Sequence, residues 1–217
     1  GISESSGGAR DAVEQFCRSE GIELHVIELE PEGLAIPVIK KKVNRPVCSM
    51  CGKIKRYYFN KTALDHGFDV LATGHNLDDE VGRLLANTLR WDSGYLAGQS
   101  PYLPPAGGLA AKARPLYRLG EFETAAYCFF KGIREWSAPC PYSKGASFTV
   151  KKRMMNELER ESPGTKLSFF EEFLKNARPM FEEYIEREAG RPGPCPECGY
   201  PAAGELCGVC RLKSLAA

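Results

Sequence analysis

Nothing in the chain approaches the ~20 consecutive apolar residues that a membrane-spanning helix needs. No basic stretch runs into an apolar one in the manner of a secretory leader. These two absences point to a cytoplasmic protein with no membrane partner. An excess of either charge is missing too: 29 Lys and Arg face 28 Asp and Glu among 217 residues. Any surface for nucleic acid therefore has to be a local patch. Also missing is an even count of cysteines, since nine cannot all pair in disulfides. Finally, Ser6-Gly7-Gly8-Ala9-Arg10-Asp11 lacks the buried strand that aims a phosphate loop at its ligand. With five residues ahead of it, it is not read as such a loop.

What is present suits a globular protein with one core and small attachments: 43% of residues are apolar and 26% charged. A helix is expected over 9–20, closed by Gly21, and a strand over Ile22–Leu29 (IELHVIEL). A helix over Ile54–His66 ends at Gly67, and Asp69–Thr73 (DVLAT) reads as a short buried strand. The next helix carries Val81, Leu84, Leu85, Thr88 and Leu89. Strand–helix–strand–helix order predicts an α/β fold with a parallel sheet. Two strands make a thin sheet, so the chain reads as the later part of a larger α/β unit that lacks its opening strands. Residues 91–112, rich in Gly, Pro and Ala, form a loop or lid, and Arg114–Tyr117 is a short extended piece. Helices follow over 121–131, with Cys128 in the core, and over 150–160 and 167–188. Pro163-Gly164 separates the last two, and Pro179 is expected to kink the second.

Three cysteine pairs have two intervening residues. Cys195, Cys198, Cys207 and Cys210 form two of them, eight residues apart. Four thiolates around one ion make a closed tetrahedral site, which is structural, and so short a segment depends on its metal to fold. Zinc is the expected ion; a rubredoxin-like iron is the alternative. The third pair, Cys48 and Cys51, sits at a helix start beside Lys53, Lys55 and Arg56, which favours thiolates. It reads as a redox dithiol, a nucleophile pair or part of a metal site. A metal site needs a distant third ligand, and Cys140, between Pro139 and Pro141, is the candidate. Three thiolates with an open position suit a [4Fe–4S] cluster; structural zinc and unreactive thiols stay open.

Gly74-His75-Asn76-Leu77-Asp78-Asp79-Glu80 follows a strand and opens a helix, where open α/β sheets keep their ligand groups. Asp78 and Asp79 either cap that helix or hold Mg²⁺. Basic clusters at Lys40–Lys42, Lys53–Arg56 and Lys151–Arg153 are candidate RNA contacts; ordinary solvated faces are the alternative.

The stretches RPVCSMCGKIKRYYFN and DVLATGHNLDDEVGRLLANTLRWD, the APCPYS loop and the four-cysteine tail together resemble the TtuA-type tRNA 2-thiouridine synthetases. These are PP-loop ATP pyrophosphatases with a Rossmann-like, adenine nucleotide alpha hydrolase-like domain. The resemblance runs from about Ala12 to Arg211. It implies a transferase that adenylates O2 of a tRNA uridine with ATP and then replaces that oxygen with sulfur. The expected base is uridine 54, giving 2-thiouridine or its 5-methyl form. It implies a [4Fe–4S] cluster on Cys48, Cys51 and Cys140, and catalytic roles for these three with Lys55 and Asp79. Gly74, His75, Asn76, Asp78 and Asp79 would line the ATP and Mg²⁺ site. A ubiquitin-like carrier with a C-terminal thiocarboxylate would donate sulfur, and a homodimer is expected.

The chain departs from that family at its front, where an N-terminal zinc finger and a Ser-Gly-Gly-Lys-Asp-Ser phosphate loop would stand. On this reading the chain is partial, and these 217 residues alone are expected to bind ATP poorly and be inactive. Its divisions would be 1–112, a partial catalytic domain; 113–190, its remainder with a helical extension; and 191–217, the zinc finger. Tests must separate the uridine thiolase from a cytidine or wobble-uridine thiolase of the same superfamily, and from a non-catalytic, zinc-stapled RNA-binding fragment. The four-cysteine tail favours the uridine group over the cytidine enzymes.

Overall fold

In chain order the elements are α1 (Ser3–Glu20), α2 (Ile36–Lys42), α3 (Val47–Asp65), β1 (Val70–Ala72), α4 (Leu77–Thr88), α5 (Ser93–Ala97), β2 (Tyr102–Leu103), β3 (Ala111–Ala113), α6 (Glu121–Phe130), α7 (Ser147–Glu161), α8 (Thr165–Glu172), a π-helical turn (Phe173–Ala177), β4 (Gly193–Pro194), β5 (Pro201–Ala202) and α9 (Gly208–Ala216). The structure is a computed structural model that describes residues 3–134, 140–142, 147–182 and 192–216. The expected loop over 136–149 and the end of the helix over 167–188 lie largely outside these. Two units emerge. One takes Gly1–Asp65, Tyr127–Lys144 and Pro192–Ala217, and the other His66–Ala126 and Gly145–Arg191. The stretches 1–112 and 113–190 thus each contribute to both.

In the first unit, Ser6-Gly7-Gly8 lies inside α1, which fits no phosphate loop. The helix starts six residues before the expected Ala9 and takes in two glycines, each costing about 1 kcal/mol relative to Ala. Ile22–Leu29 is not a strand. Residues 21–28 are exposed and pair with no strand among the described residues, and alternation without a partner backbone makes no ladder. The core lies elsewhere. Leu34, Ile36 and Ile39 meet Met50, Ile54 and Tyr57 of α3, and Val209 and Leu212 of α9 join them. In α3, residues 50, 54 and 57 recur at helical spacing, so one stripe of the helix faces this core. α2 escaped the sequence reading. Its Lys40–Lys42 occupies the last turn, where cations complement the helix dipole.

In the second unit, β1 pairs in parallel with β3, and β2 pairs antiparallel with β3. The α/β class expected from element order holds, but the sheet is mixed, in the order β1-β3-β2, and its one parallel pair joins β1 to β3, not to the expected strand over Ile22–Leu29. β1 is not buried as expected, however. It is an edge strand, and Val70 is 48% exposed. Residues 91–112 hold α5, β2 and the first two residues of β3 rather than a plain loop, and Arg114–Tyr117, expected as a short extended piece, leaves β3 and turns from residue 115 on. α6 buries none of its residues and Cys128 is half-buried, so that helix is no part of a core.

α4 carries the apolar stripe of this unit. Leu77, Val81 and Leu84 pack with Leu96, Met155, Phe170 and Phe173. α7 comes so near that a Cβ on Gly82 would sit 3.0 Å from Lys152 Cγ, which is why a glycine stands there. Gly164, at φ +92°, turns the chain between α7 and α8. Glu159 accepts from the backbone N–H groups of Gly164 and Lys166 at 2.8 and 2.7 Å, capping α8. Pro179 does not break the helix that follows. Instead, the turn before it widens, with Arg178 N–H bonded to the Phe173 carbonyl. That π turn absorbs the bond that proline cannot make.

Candidate functional site

The four C-terminal cysteines come together as their spacing predicted. All four Sγ atoms lie within 4.8 Å of one another, the one such ligand group among the described residues. Gly199, at φ +69°, makes the tight turn after the first pair, and β4 and β5 zip the loop between Cys195 and Tyr200. Backbone donors aim at the sulfurs: Cys207 N–H at Cys195 Sγ and Cys210 N–H at Cys207 Sγ, both 3.3 Å. The Cys207 N–H helps hold the Cys195 thiol down to about 6. Burial pushes the Cys210 and Cys207 thiols up, and at Cys210 the neighbouring sulfurs add to it. Protons alone therefore leave the group only partly ionised, and a divalent ion is what stabilises four thiolates side by side. The donor set fits zinc.

Cys48, Cys51 and Lys55 share one stripe of α3, at i, i+3 and i+7. They do so because α3 begins at Val47, seven residues before the expected Ile54, so the pair lies inside the helix's first turns. The loop carrying Cys140 is fastened to this end of α3. Cys48 Sγ–H donates to the Tyr142 carbonyl at 3.6 Å, and Lys40 Nζ stands 4.8 Å above the Tyr142 ring. Cys48 and Cys140 are exposed, Cys51 is half-buried, and none of the nine cysteines is in a disulfide. The three do not gather within the 4.8 Å that the knuckle sulfurs share. Three soft donors, two on α3 and one on the loop fastened to it, suit a multi-iron cluster.

In the second unit, Asn76 caps α4. Its side chain accepts from Asp79 N–H at 3.0 Å, and Asp79 Oδ2 accepts from Asn76 N–H at 3.3 Å, a reciprocal capping box. His75 Nδ1 lies 2.8 Å from Thr73 Oγ1. The two aspartates separate in role. Asp78 is buried, and both its oxygens are committed, to Lys166 Nζ at 2.5 Å and to Glu121 N–H at 2.7 Å. Burial alone would raise its pKa. The Lys166 hydrogen bond, the Glu121 N–H and the lysine charges outweigh it and hold the carboxyl below the usual range. Asp79 is more accessible, and its Oδ1 meets Lys152 Nζ at 3.1 Å, a lysine that also reaches Glu121 at 3.0 Å.

Asp78→Ala should destabilise the protein by about 3–5 kcal/mol by leaving a charged Lys166 without its buried partner. A carboxylate with a lowered folded pKa stabilises above its unfolded pKa of about 3.9. That contribution is lost as pH falls through the folded value. Urea unfolding at pH 7 and pH 3 checks both: the wild type loses stability on acidification, and the variant loses less.

No protein-family model matches the chain. It is 41% identical over 216 residues to the tRNA-5-methyluridine(54) 2-sulfurtransferase of Thermus thermophilus, covering 98% of this chain and 65% of that protein. To the Pyrococcus horikoshii protein of the same name it is 39% identical over 215 residues, covering 99% and 68%. The chain belongs to the tRNA 2-thiouridine synthetase family. Among solved structures, the U34-tRNA thiolase NcsA from Methanococcus maripaludis with its [4Fe-4S] cluster superposes with a TM-score of 0.73 at 26% identity, over 99% of this chain and 67% of that one. The chain spans about two thirds of the length of these relatives.

Within this family member, the sequence reading missed Lys152 and Lys166. They lie 73 and 88 residues from the aspartates they engage, and no local spacing signals such a pairing. It also missed what α3 gives the knuckle. A basic cluster at Lys151–Arg153 was legible, but its middle member is turned toward Asp79 and Glu121.

Proposed function

We propose that the protein is an ATP-dependent tRNA 2-thiolation enzyme that exchanges the 2-oxygen of uridine 54 for sulfur. The observation that carries this is the shared stripe of Cys48, Cys51 and Lys55 on α3, with the Cys140 loop fastened to it through Tyr142. Uridine 54 is preferred over the wobble position because the relatives named for position 54 are 39–41% identical, against 26% for the U34 thiolase. A cytoplasmic site of action accords with cysteines spent on metal ligation rather than disulfides.

Cys48, Cys51 and Cys140 would hold a [4Fe–4S] cluster, which when bound supplies an iron with a position free for sulfide. The chain's own residues do the rest. Lys55, exposed one turn beyond Cys51, carries positive charge to the phosphates from which the activated oxygen must leave. Gly74 leaves open space past the end of β1, which allows a nucleotide close to the backbone. Of the acidic pair, Asp79 is the group for Mg²⁺ or nucleotide, since Asp78 is spent on Lys166 and Glu121. Release of Lys152 would free Asp79 for that task. A thiocarboxylated ubiquitin-like carrier as sulfur donor and a homodimer complete the proposal, on the family's pattern.

Mass spectrometry of tRNA fragments from cells lacking this protein tests the reading. Sulfur should disappear from position 54 alone. Loss confined to position 34, or to a cytidine, would replace it with one of the related thiolases, and unchanged tRNA would overturn it.

A further inference from the structure

α3 faces the knuckle with more than apolar groups. Lys53 is half-buried, and its side chain occupies the space above Gly208, in the turn between Cys207 and Cys210. A Cβ on Gly208 would sit 2.8 Å from Lys53 Cδ and 3.1 Å from its Nζ. No carboxylate among the described residues pairs with this ammonium, in contrast to Lys61 of the same helix, which meets Asp65 at 2.6 Å. One turn along, Tyr57 is buried in the same cluster as Cys195, Cys207 and Cys210. Its ring lies 4.8 Å from that of Tyr200, the residue whose carbonyl accepts from Cys195 N–H. Lys53 and Tyr57 are at i and i+4, so one face of α3 presents a cation and a packed ring to the knuckle.

Four thiolates carry twice the charge that a divalent ion neutralises, so a tetrathiolate site remains strongly anionic after loading. Cations and hydrogen-bond donors around such ligands hold the metal in place, and their loss typically costs 10–100-fold in affinity. We propose that Lys53 of α3 belongs to the outer shell of the zinc site, through its charge over Gly208 between Cys207 and Cys210. The inference rests on the knuckle holding zinc. It makes α3 a shared element: its N-terminal stripe carries Cys48 and Cys51, and Lys53 on the opposite face retains the zinc. Gly208 is required because any side chain there would displace the lysine.

The test is the rate at which the full chain, purified without oxygen, releases zinc to an excess of chromogenic chelator. Lys53→Gln, which keeps most of the packing, should accelerate release about tenfold. Lys53→Arg should restore the slow rate, since it keeps the charge. Lys61→Gln, removing an already paired charge from the same helix, should change nothing. Wild-type release from Lys53→Gln would overturn the proposal. So would Lys53→Arg releasing as fast as Lys53→Gln, which would make the role one of shape. Wild-type protein that purifies without zinc would overturn the knuckle assignment itself, and the outer shell with it.

Discussion

Cys207→Ser empties the zinc site and unfolds residues 192–216. The magnitudes decide this. Burying Val209 and Leu212, at 1% and 2% exposure, yields about 1.5–3 kcal/mol apiece. Structural zinc in small fingers is worth about 10–16 kcal/mol near neutral pH, so the metal dominates. The damage should spread, because Cys195, Cys207 and Cys210 belong to the same core as Met50, Ile54 and Tyr57 of α3. Zinc content by atomic emission and the thermal melt check it. The variant should hold no zinc and melt earlier, and iron retention on Cys48 and Cys51 should fall with it. Chelation of the wild type should reproduce the melt. A zinc-free variant that melts like the wild type would show that the knuckle is ornamental to this core.

Cys140→Ala should strip iron from the anaerobically reconstituted protein while leaving zinc in place. Wild-type protein should carry about four irons per chain beside one zinc. The loss is expected to be near complete because two thiolates on α3 cannot hold a cluster that needs a third. Zinc is untouched because the knuckle cysteines form a group of their own. Tyr142→Ala is a milder version. It removes the ring under Lys40 but leaves the carbonyl that Cys48 uses, so iron content should fall only in part. Iron retained in full by Cys140→Ala would move the third ligand elsewhere.

The knuckle was legible from spacing alone, since four thiols in two close pairs leave a tetrahedral ion as the natural partner. A cap at the start of α4 was one of two readings left open for Asp78 and Asp79; the structure gives it to Asn76 with Asp79. What the sequence hid is tertiary. The start of α3 at Val47 depends on Met50 and Ile54 meeting a core built from α2 and α9, and that core aligns Cys48 and Cys51 with Lys55. Asp78 and Asp79 look alike in the sequence, yet one is buried under Lys166 and the other lies under Lys152. Ile22–Leu29 shows the converse: its alternation is strand-like, and no neighbouring strand among the described residues completes it.

The measurement that bears most directly on the central claim is the 2-thiouridine content of bulk tRNA, by nucleoside mass spectrometry, in cells whose only copy of the protein carries Cys140→Ala. The account predicts that 2-thiouridine and its 5-methyl form disappear, with the protein still folded and still holding zinc. Undiminished 2-thiouridine alongside a folded, iron-free protein would contradict it.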